Sequence, residues 1–241
     1  IPYGVIPVHK ERQSGLLAPK YSFSSKRGFQ WEQPFYFALS KSQDATITAD
    51  IETSSRIGLL GEYRYALSEN IEGEFSASYF NERIRGPAST TSPTDRWSVA
   101  GTHRQELPME VDFYSDLFFV SDDFFLRELN TSVHPGLEDR EVRTRRFTDS
   151  RVGATKAWKN IQVRSEARYY QDLRNDQDDA FQILPQINIE GRRRLWRDRI
   201  QTGIRVEGTH FFRNRGYHGQ RFDFAPWASM PFSLGRYLFG S

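Results

Sequence analysis

The 241-residue sequence has no cysteine, which excludes disulfide frameworks and cysteine-ligated zinc within it and leaves the redox compartment open. No apolar run approaches the roughly 18 to 20 residues that a transmembrane helix needs. Ile1 to Lys10 show no charged-then-apolar leader pattern. Charge of one sign is lacking too: 33 basic against 31 acidic residues leave +2, which gives no nucleic-acid signature. Catalytic signatures are equally thin. The five histidines (His9, His103, His134, His210 and His218) have no H-E-x-x-H spacing, and neither a G-x-S-x-G elbow nor a phosphate-cradling loop occurs. His103 and His210 fall on apolar phases and read as packing or interfacial residues. Apolar content is low at 37%, yet aromatics reach 15%, far above a disordered chain. A membrane β-barrel survives these exclusions, because its strands carry apolarity only at alternate positions.

That alternation dominates the sequence. Ile71, Gly73, Phe75, Ala77 and Tyr79 interleave with Glu72, Glu74, Ser76 and Ser78, which gives a strand one dry face and one wet face. The pattern returns from Ile161 (Val163, Ala167 and Tyr169 against Gln162, Arg164, Glu166 and Arg168) and from Phe181. Similar phasing covers 17–25, 29–39, 45–52, 57–65, 97–103, 111–119, 152–158, 200–212 and 222–232, about twelve strands in all by the period-two criterion. These runs are longer than the ~5 to 6 residues usual in soluble domains and match the ~9 to 11 of a tilted bilayer-spanning strand. Connections alternate in length. The two long ones, near 81–96 and 120–146, both fall in the odd-numbered set, whereas the even set holds short or medium turns, as in outer-membrane barrels. Trp158 and Ile161 flank Lys159-Asn160 and are expected to pair across a tight turn. The expected class is therefore all-β, an antiparallel transmembrane β-barrel. Ser233 to Arg236 reads as a turn and Tyr237 to Phe239 as the start of a thirteenth strand, which implies a segment of a larger barrel.

The stretch Pro7-Val8-His9-Lys10-Glu11-Arg12-Gln13-Ser14-Gly15-Leu16-Leu17-Ala18-Pro19 is followed by Ser24-Ser25-Lys26-Arg27-Gly28 and Gln33-Pro34-Phe35-Tyr36. Farther on come Asp44-Ala45-Thr46, Gly61-Glu62-Tyr63-Arg64-Tyr65, Ser121-Asp122-Asp123-Phe124-Phe125 and Leu184-Pro185-Gln186. In this order they resemble the LptD family, lipopolysaccharide-assembly barrels of Gram-negative outer membranes. The resemblance implies a twenty-six-stranded barrel, within the size range of such proteins, of which these would be about the first twelve strands. It implies that residues 1–15 lead in from a periplasmic β-jelly-roll domain and that 16–241 are partial barrel, with the family's cysteines elsewhere. It further implies lipopolysaccharide transport into the outer leaflet, an LptE-like plug lipoprotein in the lumen, a periplasmic Lpt bridge, no cofactor and no enzymatic activity.

Site expectations follow. Pro19 and Pro34 lack an N–H and weaken a ladder wherever they fall. A turn at 26–28 would put Ser25 opposite Phe29, Phe35 opposite Pro19 and Lys20 opposite Pro34, so the two prolines would be neighbours in one hairpin. In the family the first strand closes the barrel, and that seam is the lateral gate. Arg64, Arg164 and Arg168 lie on the wet face as possible lumen contacts to lipopolysaccharide, or as partners of Glu62, Glu72 and Glu166. Arg192, Arg193, Arg194 and Arg197 form a basic turn on the short-connection side. Asp122, Asp123, Phe124 and Phe125 belong to a long loop, which the resemblance implies folds over or into the extracellular mouth. The competing functions are a porin or solute channel and an outer-membrane lipid hydrolase.

Overall fold

The computed structural model describes residues 12–25, 27–82, 94–129, 145–173, 180–195, 199–213, 216–230, 232–234 and 237–239. Residues 1–11 of the lead-in segment, with His9, lie outside the described residues, as do His134, Arg197 and most of the long loop. The chain divides into two compact units, Ile1–Gly101 with Val120–Arg143, and Thr102–Phe119 with Thr144–Ser241. Each is antiparallel, and sequence neighbours are sheet neighbours, so the all-β antiparallel class expected from alternation is the class found.

In the first unit, β1 (Gly15–Leu16) and β2 (Lys20–Ser24) both pair with β3 (Gly28–Ser40). Then follow β4 (Gln43–Glu52), β5 (Arg56–Ser68), β6 (Ile71–Asn81) and the first part of β7 (Asp95–Leu107). Burial inverts the arrangement of a water-soluble body. Polar-face residues are covered, including Asp50, Glu52, Arg56, Ser78, Arg96 and Ser98. On the apolar face Leu59 is 53% exposed, and Ile57, Tyr79, Trp97 and Val99 are exposed beside it. A contiguous exposed apolar surface of this kind marks contact with an apolar phase or a partner.

The second unit continues the meander through the rest of β7, β8 (Val111–Val120), β9 (Phe147–Ala157), β10 (Ile161–Asp172), β11 (Gln182–Leu195), β12 (Ile200–Phe212) and β13 (Gly219–Ser229). Its two faces have the same character. Ile187, Ile189, Ile204, Phe222 and Phe224 are exposed on the dry side, and charged residues alternate on the other. The turn at Lys159-Asn160 forms as expected, with Trp158 N–H donating to the Ile161 carbonyl at 2.7 Å. His103 packs 5.8 Å from the Phe113 ring, and His210 Nδ1 lies 2.8 Å from the Leu184 carbonyl.

Three expectations need correction. The first strand is not continuous: it stops after Leu16 and resumes at Lys20, because Pro19 cannot donate and the pairing slips there. The first hairpin is registered two residues away from expectation, with Ser24 opposite Gly28 and Lys20 opposite Glu32. Gly28 is not a turn residue. It opens β3 with φ of 74°, and a Cβ there would sit 2.4 Å from Thr53 Oγ1. Finally, Tyr237–Phe239 (β15) does not add to β13. It pairs locally with Phe232–Leu234 (β14) across a two-residue connection, in a small sheet of its own.

Glycines serve as shelves for aromatic rings from the adjoining strand. A Cβ on Gly153 would fall 2.5 Å from Tyr114, and one on Gly203 2.4 Å from Trp227, the residue directly across the ladder. Replacing Gly203 with Val therefore expels the Trp227 ring. We expect a loss of about 1 to 3 kcal/mol, read as an earlier urea midpoint of the full-length protein in detergent, with Gly208→Val, where no neighbour is within 4 Å, as the mild control.

Candidate functional site

Three places carry chemistry beyond ordinary sheet. The first is the seam between the broken first strand and β3. Leu16 faces Phe35 and Lys20 faces Glu32, so residues 17–19 span only Gln33 and Pro34 on the partner. Leu17 N–H donates to the Pro34 carbonyl at 3.0 Å, and no ladder bond returns, since Pro34 has no N–H. The two prolines thus lie on either side of one irregularity, although their register differs from the expected one.

The second place is the polar wall. Arg64 Nε donates to Asp44 at 2.9 Å, whose other oxygen meets Arg12 at 3.0 Å; Asp44, not Glu62 or Glu72, is its hydrogen-bond partner. Arg168 bonds Glu166, as expected, and Glu166 also accepts from the Tyr114 hydroxyl. Arg164 differs: it forms no hydrogen bond or ion pair among the described residues. It lines an open concavity of about 290 Å³ with Gln162, Asn188, Glu190, Arg205 and Glu207. Arg205 reaches Glu190 at 3.0 Å and Arg221 pairs with Glu207, so both carboxylates there are already matched and Arg164 supplies uncommitted positive charge. The expected basic turn is not a turn at Arg192, Arg193 and Arg194: all three belong to β11 and pair with Gly203, Thr202 and Gln201 of β12, because the ladder runs on to Leu195. Arg192 contacts Glu190 at 3.4 Å, and Arg193 and Arg194 are exposed.

The third place was not legible beforehand. Arg96, fully buried on the polar face of β7, holds Asp122 through two bonds of 2.9 and 2.8 Å. It also holds Glu128 at 2.7 Å and Glu82 at 3.4 Å. Asp122 organises its own segment as well, accepting from Ser121 Oγ at 2.7 Å and from Phe124 N–H at 3.1 Å. The short helix α1 (Phe125–Glu128) then lays Phe125 against Phe80, with ring centroids 6.4 Å apart, and Phe125 and Leu126 are buried. Phe124 lies beneath Arg127. Asp122 is thus the counterion of Arg96, and the start of the long loop is clasped to the sheet of its own unit. The warning sign in the sequence was a lone arginine on a wet phase beside Trp97.

A family model described as LptD protein matches residues 1–197. The chain belongs to the LptD family. It is 29% identical over 218 residues to the LPS-assembly protein LptD of Pseudomonas entomophila, covering 88% of this chain and 22% of that relative. Against the LPS-assembly protein LptD of Pseudomonas putida strain F1 the identity is 31% over 195 residues, 79% of this chain and 20% of the relative. The LptD of Acidovorax strain JS42 is 27% identical over 227 residues, 91% of this chain and 27% of the relative. The chain therefore spans about a quarter or less of the length of these curated relatives.

For this LptD-family chain the Arg96 clasp has a direct test. Removing one member of a buried ion cluster leaves the others unpaired, at roughly 3 to 5 kcal/mol. Arg96→Met should release the 121–129 segment to limited proteolysis, whereas Arg104→Met, on an exposed residue of the same strand, should leave it protected.

Proposed function

We propose that this chain supplies about the first twelve strands of a larger barrel in the bacterial outer membrane, through which lipopolysaccharide passes to the outer leaflet. The observation that carries this reading is the pairing of an exposed apolar face with a charged polar face on strands of 10 to 14 residues from β3 to β13. Such strands match the span of a bilayer, and the relatives' names supply the cargo. On this reading the polar face lines the lumen. Arg64, Arg164 and Arg168 meet the phosphorylated sugar head group, for which a guanidinium is a well-matched partner. Arg164 is the foremost of the three because its charge is not already matched. The irregular first strand serves as one side of a lateral gate around Pro19 and Pro34, and Asp122, Asp123, Phe124 and Phe125 anchor a loop at the outer mouth.

The same reading assigns an LptE-like lipoprotein to the lumen, delivery across a periplasmic Lpt bridge, and transport without catalysis. The test is photocrosslinking in the full-length protein. A crosslinking amino acid at position 164 should yield lipopolysaccharide adducts in growing cells, and one at Ile204, on the apolar face, should yield few. Adducts at neither position, together with a steady open-channel conductance in planar bilayers, would favour a porin instead.

A further inference from the structure

Gln33 sits on the apolar face of β3, between Trp31 and Phe35 in the alternation. A carboxamide placed there is unfavourable unless its hydrogens are used. Both are used: Nε2 donates to the Leu17 carbonyl and to the Pro34 carbonyl, each at 3.0 Å. The backbone explains why. Leu17 N–H donates to the Pro34 carbonyl, so the hydrogen-bonding edge of residue 34 points toward the first strand. An ordinary residue at 34 would send its own N–H back to the Leu17 carbonyl, closing the two-bond ring of an antiparallel pair. Proline has no hydrogen to send, and the side chain one residue earlier sends one in its place.

The geometry points to Gln33 as a side-chain latch that substitutes for the donor Pro34 lacks and holds residues 17–19 of the first strand to β3. Its importance for transport rests on the gate reading above; its existence does not. A latch of this kind differs from a ladder bond, because a rotamer change releases it while the backbone stays in place. Other side chains tie the first strand to its neighbours as well. Ser14 Oγ accepts from Ala38 N–H at 2.9 Å, Ser22 Oγ donates to Gln30 at 2.8 Å, and Arg12 reaches Asp44 at 3.0 Å. Among the described residues below the break, Gly15 and Leu16 are in ladder register with Tyr36 and Phe35, and Leu17 adds its single bond to Pro34. Gln33 therefore stands at the joint between β1 and β2, where a small change in hold changes the whole strand.

The experiment is hydrogen exchange on the full-length protein in its native lipid, read on peptides covering residues 12–24. Gln33→Leu should speed exchange there by about fivefold, the factor one net hydrogen bond corresponds to, and leave β10 unchanged. Pro34→Ala restores the backbone donor; it should slow exchange at Leu17 and make the protein indifferent to Gln33→Leu. No effect of Gln33→Leu, or the same effect with and without Pro34→Ala, would overturn the latch. Cell permeability to a large antibiotic is measured in parallel. Faster exchange with a change in permeability supports both the latch and the gate. Faster exchange with unaltered permeability and surface lipopolysaccharide keeps the latch and overturns the gate reading.

Discussion

A strand with an apolar outer face has nowhere to send its backbone N–H and C=O groups except to the strand beside it. On the lipid-facing side proposed above there is no water to take their place, and each unsatisfied group costs several kcal/mol in lipid. The long regular ladders of both units, from β3 to β6 and from β9 to β13, meet that demand almost residue by residue. Where a proline breaks the ladder, the consequence is local and specific: the pairing slips, a carbonyl loses its donor, and a side-chain amide takes over. Regularity elsewhere is what makes the first strand exceptional. The bulge at Leu184-Pro185, where β11 shifts its register on β12, shows that proline irregularity also occurs away from that seam.

Charge follows the same economy on the other face. Most arginines there are matched by carboxylates on adjacent strands, as with Arg64 and Asp44 or Arg205 and Glu190. Arg96 and Arg164 depart from that pattern in opposite ways. Arg96 gathers three carboxylates and fixes the root of the long loop, a use of buried charge for geometry rather than for net stability. Arg164 gathers none among the described residues and faces an open concavity. A polar wall built this way is held in shape by its own ion pairs and keeps limited positive charge for an anionic guest.

Most strands were legible in the sequence because side-chain period and burial coincide: once Phe75 and Glu74 alternate, one face must be dry. Several connections were legible for the same reason, since the end of alternation marks the turn, as at Lys159-Asn160; those near 191–198 and 233–236 were not, because pairing carries β11 to Leu195 and makes Phe232–Leu234 a strand. Register at the first hairpin was not, because Gly28 resembles a turn glycine while its real constraint is Thr53 on the neighbouring turn, a contact no local pattern reports. Nor could the partner of Asp122 be read from two adjacent carboxylates, as it lies 26 residues upstream on β7. Gln33 was visible only as part of a Gln-Pro pair. Its role emerges from the direction in which residue 34 points, which a sequence does not contain.

Strands of this kind, with one dry and one wet face, are proposed here to separate lipid from water. Single cysteines, which this sequence lacks, can be placed one at a time at Ile57, Leu59, Ile204 and Phe224 on the apolar face, and at Glu62, Arg164 and Arg205 on the polar face. Spin labels at these positions in the full-length protein, reconstituted in bilayers, report collisions with oxygen dissolved in lipid and with a water-soluble nickel chelate. Strict alternation is expected, with oxygen favoured at the first four and nickel at the other three. Equal access of both reagents to both faces would contradict it.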